Sequence, residues 1–195
     1  FFYSTSEISQ RKCNKVILNK ELANTILTRS YDFIMHEKSL LEHDFMGEKE
    51  DCENKFLVIG ELVALVYCES IQNQLITEIY PLIERIKIAL SDCKISTIAI
   101  DIVEMTEKNK LEECVDTFEN IILTKNKKLY SSVFTGIQCL VFMKENYNQD
   151  VSFEKFFSSI KYLDIEYSKT LWIHLTPLLR QPFFATEKEQ RYIAL

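Results

Sequence analysis

The densest group of side chains able to hold a metal ion is His36, Glu37, Glu42, His43 and Asp44. Imidazole and carboxylate together bind zinc or iron. The spacing argues against that use. The histidines stand seven positions apart, and neither H-x-x-x-H nor E-x-x-H is formed, so no single helix turn presents them to one ion. A solvated charged loop accounts for the same residues, and no metal is expected. His174, next but one to Trp172, lies in an apolar stretch and reads as a packed histidine rather than a base or ligand. Glu112 with Glu113, and Glu48 with Glu50, read as solvated surface pairs rather than acid–base pairs. No G-x-S-x-G is present. Three glycines, Gly47, Gly60 and Gly136, leave no glycine loop to cradle a phosphate. No catalytic residue and no cofactor is assigned.

The elements that would carry such residues follow from the same scarcity. Gly and Pro make tight turns and break regular structure. With three of each in 195 residues, and 47% hydrophobic content, the chain suits packed helices with short polar connections. The expectation is a single all-α domain over 1–195. It is built either as stacked antiparallel hairpins, α-solenoid-like, or as an irregular orthogonal bundle.

Along the chain, residues 1–18 carry little periodic signal and are expected to be extended or poorly structured. Asn19 can cap a helix to about Lys38, with Leu22, Ala23, Ile26, Leu27 and Ile34 on one face. The charged stretch 39–54 reads as one long loop. From Glu53 to Glu69 apolar residues crowd every face, as in a central helix. The segment 71–91 holds Pro81, which predicts a kink or break near Tyr80. Residues 95–105 fit either a strand, by alternation at Ile98, Ile100 and Ile102, or a helix, which the flanks favour. Asn109 with Glu112 reads as a capping box opening a helix whose stripe is Leu111, Cys114, Val115, Phe118, Ile121 and Ile122. Further helices are expected over 130–145, from Asp150, after Ser168 and from Thr186.

Six cysteines form no C-x-x-C pair. Cys68, Cys93, Cys114 and Cys139 sit in or beside apolar stretches, where a thiol behaves as a small hydrophobe, so a reducing compartment is expected. The longest apolar run, 56–68, is too short to span a bilayer. The Ser-rich, acid-poor start, Phe1 to Ser6, is similar to the cleavage region of many fungal and protist mitochondrial presequences. Import into mitochondria is the expectation, with the cytoplasm or nucleus as the alternative. A net charge of −6 disfavours a broad basic footprint for nucleic acid.

In the second half, first helices are expected near 96, 130 and 168 and second helices near 110, 151 and 187, spacings in the range of helix-hairpin arrays. The pair over Thr97–Asn126, turning at Lys108-Asn109 into Leu111-Glu112-Glu113-Cys114, resembles a pentatricopeptide or tetratricopeptide hairpin. That resemblance covers residues 96–163 and implies a stacked-hairpin architecture. A pentatricopeptide array further implies single-stranded RNA read one base per repeat, but Thr97, Asn126 and Val133 do not form a consistent code.

The resulting functional expectation is a non-enzymatic scaffold or assembly factor that binds other macromolecules inside a larger complex. Its expected partner-binding residues are Trp172, Arg180, Phe183 and Phe184. An RNA-binding factor of mitochondrial gene expression is one alternative, with Lys108, Lys110, Lys125, Lys127 and Lys128 converging on phosphates. A carrier of a small apolar ligand or lipid, with 56–68 as its pocket wall, is the other. No small-molecule substrate is indicated.

Overall fold

The computed structural model describes residues 18–42, 48–147, 162, 165–167 and 169. Among them every element is helical: α1 (Lys20–Glu42), α2 (Glu48–Gln72), α3 (Ile76–Asp92), α4 (Ile98–Glu107), α5 (Leu111–Leu123), a 3-10 turn Lys127–Leu129 and α6 (Tyr130–Tyr147). The fold is all-α. The helices expected from Asp150, after Ser168 and from Thr186, and residues 1–17, lie outside the described residues.

Asn19 caps α1 as its type predicts: its Oδ1 accepts the Leu22 N–H at 2.8 Å. The loop expected over 39–54 is corrected at its described residues, since 39–42 and 48–54 are helical. The described part of α1 runs to Glu42 and α2 begins at Glu48. Of the acids that suggested a loop, Glu50, Asp51 and Glu53 fall in the first turns of the described α2, where carboxylates complement the positive end of the helix dipole.

The break expected near Tyr80 is also absent. Pro81 is the sixth residue of a continuous α3. Without an N–H it cannot bond the carbonyl of Thr77, but Thr77 is exposed, so water can serve that oxygen. The chain turns instead at residues 73–75, before α3 starts. The ambiguous stretch 95–105 is helical from Ile98. Ala99, Ile100, Ile102, Val103 and Thr106 are all buried, because α4 is enclosed by α2, α5 and α6. Burial on several sides produces the alternation that imitates a strand.

The capping box at Asn109–Glu112 is a further correction. Lys110 occupies the N-cap of α5 with no side-chain cap bond. Asn109 instead adopts φ 58°, as do Gln74 (58°), Lys94 (60°) and Lys125 (53°) at the ends of α2, α3 and α5. At each site the next residue's N–H reaches back to close the helix: Leu75 to the Ser70 carbonyl at 2.9 Å, Ile95 to Leu90 at 2.9 Å, Lys110 to Met105 at 2.7 Å and Asn126 to Ile121 at 3.2 Å. This is the Schellman closure, which usually places glycine in the left-handed position. Four successive helices stop this way without one glycine, so a glycine-poor chain still turns sharply.

The core gathers round α2, which packs against α1, α3, α4 and α6. Leu27, Ile34, Phe56, Val63, Tyr67, Ile79, Ile83, Ile86 and Leu90 are sealed from solvent. Each such side chain contributes about 1.5–3 kcal/mol by leaving water. A second apolar set, with Ile102, Cys114, Phe118, Ile122, Val133 and Ile137 buried, belongs to α4, α5 and α6. There α6 approaches α4 at Gly136.

Candidate interaction surface

One face of the central helix is left uncovered among the described residues. Val58, Leu62 and Leu65 of α2 are 61%, 42% and 45% exposed, and Phe33 of α1 is 38% exposed. Their spacing, i, i+4 and i+7, is the row a helix presents to another helix packed on it. Val58, Leu62 and Phe33, with Ile26 and Ile59, line an open groove of about 650 Å³ between α1 and α2, which also takes in Arg29, Ser30, Asn54 and Lys55; Leu65 continues the exposed row one turn beyond it. Phe33 stands edge-on to buried Phe56, ring centroids 6.2 Å apart.

The groove's charged lining is all cationic. Lys55 is held by Asp51 one turn earlier on α2. Arg29 is exposed, and no carboxylate lies within ion-pair reach of it among the described residues.

Elsewhere charges are matched inside the protein. Half-buried Lys87 of α3 reaches Asp101 at 2.8 Å and Glu104 at 2.5 Å on α4. Glu104 also holds Lys108, and Thr97 donates to Asp101 at 2.8 Å. Burial alone would favour neutral Lys87, but hydrogen bonds and charge from Asp101 and Glu104 outweigh it and raise its pKa. Burial likewise works against the Glu104 carboxylate, and its two lysines overcome that and lower its pKa. This network ties α3 to α4.

Sealed Tyr67 donates to the Glu107 carboxylate at 2.5 Å. Burial first, and that bond second, push its phenol up. The thiols of Cys52, Cys68, Cys114 and Cys139 are buried. Desolvation pushes Cys114 up to about 11. Such thiols pack as hydrophobes and make poor nucleophiles.

Of the side chains first considered for metal, His36 is exposed on α1 with Nδ1 2.8 Å from Glu37. His43, Asp44 and the side chain of Glu42 lie outside the described residues. The described residues hold no group of three or more ligating side chains in metal-binding range.

The five lysines proposed for phosphate contact divide into two groups. Lys108 and Lys110 precede α5, and Lys125, Lys127 and Lys128 follow it. The 13 residues of α5 put about 20 Å between the groups. Lys108 is held by Glu104, Lys110 lies 3.1 Å from Glu113, and Lys128 lies 3.6 Å from Glu53. Lys127 stands over the Tyr167 ring, 5.1 Å from its centroid. Trp172, Arg180, Phe183 and Phe184 lie outside the described residues.

The reading of residues 56–68 as apolar all round missed the exposed row. A signal for it was present. Asp51, Asn54, Lys55 and Glu69 fall on the same helical face as Val58, Leu62 and Leu65. An apolar centre between polar ends of one face marks a patch that water reaches.

Among the described residues, no helix is long and apolar enough to cross a membrane. No family model, curated protein or solved structure matches the chain.

Proposed function

We propose that this chain is a non-enzymatic docking protein, a scaffold or assembly factor that works by holding another macromolecule within a larger complex. The observation that carries the reading is the uncovered apolar row Val58, Leu62 and Leu65 facing Phe33. Large apolar side chains left in water on the central helix gain free energy when a partner's surface covers them. The titratable groups support the same reading: Lys87, Asp101, Glu104 and Tyr67 are spent on joining helices. The acid-poor residues 1–6 support a mitochondrial setting for the complex, and Trp172, Arg180, Phe183 and Phe184 remain a second docking region to test.

The RNA alternative is less well supported, since carboxylates already neutralise Lys108 and Lys110. The carrier alternative needs an enclosed pocket, whereas the groove at α1 and α2 is open along its length.

The test is a photoreactive residue placed at Val58, at Leu62 and, as a control, at exposed Ile88, irradiated in native extract. Covalent complexes specific to Val58 and Leu62 are expected. No adducts at those positions, or equal labelling at Ile88, would remove the reading.

A further inference from the structure

The geometry points to one kind of occupant for the groove between α1 and α2: an amphipathic α-helix of a partner protein, carrying a carboxylate that pairs with Arg29. The inference rests on the docking reading above and specifies what docks.

Shape is the first ground. The exposed row on α2 runs from Val58 to Leu65, about 10 Å along the axis. Opposite it, Ile26 and Phe33 lie seven residues apart on α1. Two helical walls with apolar side chains at one- and two-turn intervals accept the ridge of a third helix. An extended peptide would want free backbone hydrogen-bonding groups, and helices α1 and α2 offer none along their sides.

Charge is the second. The protein is net negative, at −6, yet the charged residues lining this groove are Arg29 and Lys55. Lys55 is already engaged by Asp51, which leaves the Arg29 guanidinium to be met from outside. A planar guanidinium at an apolar edge selects a carboxylate.

Area separates a partner helix from a second copy of this chain. The exposed parts of Phe33, Val58, Leu62 and Leu65 amount to roughly 300 Å², well below the ~800 Å² per partner of a stable dimer. That patch suits a short helix held with modest affinity.

The experiment uses the full chain and three fluorescein-labelled stapled helices. All share leucines at i, i+4 and i+7 and differ in flanking residues: Glu, Gln or Lys. By fluorescence anisotropy, the Glu-flanked helix is expected to bind about threefold to fivefold more tightly than the Gln-flanked one. Leu62→Asp, with its fold verified by circular dichroism and melting temperature, should weaken every helix by about tenfold or more, and Val58→Asp, at the most exposed position of the row, should do the same. Arg29→Gln should abolish the preference for the Glu-flanked helix over the Gln-flanked one.

Binding by none of the helices, preference for the Lys-flanked one, or a Glu preference that survives Arg29→Gln would overturn the inference. So would a micromolar dimer, seen by sedimentation, that Leu62→Asp dissociates; the occupant would then be a second copy. Cross-linking from Val58 to the same polypeptide would overturn it in favour of the chain's own residues. A silent peptide panel alongside intermolecular adducts at Val58 would remove this occupant and leave the docking reading standing. Silence in both would remove both.

Discussion

A carbon added at Gly136 would lie 2.4 Å from Cδ1 of Ile102 and 3.3 Å from both Ile102 Cγ2 and Phe118 Cε1. The seam between α4 and α6 is closed around that missing methyl. Gly60 on α2 is the contrasting case. An added carbon there would meet Leu90 Cδ1 at 3.6 Å and the Ser96 carbonyl at 3.9 Å, which is ordinary contact.

The two glycines should therefore respond oppositely. Gly136→Ala is expected to destabilise the fold by about 1–3 kcal/mol, because the fully buried Ile102 side chain must shift to admit the methyl. Ile102→Val, which deletes the clashing Cδ1, should restore part of that loss in the double variant. Gly60→Ala should stabilise by about 0.5–1 kcal/mol, since alanine gives up less backbone freedom in a helix. Urea unfolding of the four chains measures each effect, and a loss at Gly60 as large as that at Gly136 would refute the packing account.

Lys94 supplies a test of the helix ends. At φ 60° its Cβ crowds the following carbonyl, at a cost of about 1–2 kcal/mol. Lys94→Gly removes that strain while loosening the unfolded chain by about 0.4–1 kcal/mol. A net gain of about 0.5–1 kcal/mol is expected, read as a rise in melting temperature. Lys94→Ala keeps the Cβ and should give no such gain.

Acid should act through Glu104. Its folded pKa lies below the ordinary carboxylate value of 4.5 because Lys108 and Lys87 outweigh the effect of burial. Between the folded value and 4.5 the unfolded chain binds more protons than the folded one. Stability from this group is thus complete above pH 4.5 and is lost as pH falls through the folded pKa. Glu104→Gln should lower stability at pH 7 by about 1–3 kcal/mol, through leaving Lys87 with Asp101 alone. It should also flatten the acid limb of the stability profile. An unchanged acid limb would show that the Lys87–Glu104 contact contributes no linkage.

Much of the helical content was legible locally. Leu22, Ala23, Ile26, Leu27 and Ile34 share a face at helical spacing, and Asn19 stands where a cap is needed; both are properties of neighbouring residues. The misread positions are those where local and distant forces compete. Glu50, Asp51 and Glu53 resemble a loop until a helix dipole is there to accept them. Asn109 resembles an N-cap until α4 ends on it in the left-handed conformation. Pro81 resembles a breaker until it is found inside a continuous α3, where the residue whose carbonyl it leaves without a helix donor, Thr77, is exposed.

The amino-acid order by itself determined that this protein is built of helices, because periodicity and the shortage of turn-formers act over a few residues. The polar ends Asp51, Asn54, Lys55 and Glu69 mark the face of α2 that carries Val58, Leu62 and Leu65, but which of its other sides meet α1, α3, α4 and α6, and that Arg29 comes to stand beside the exposed row, were decided only by tertiary packing. A helix apolar on every side carries no local instruction about which neighbour will cover it.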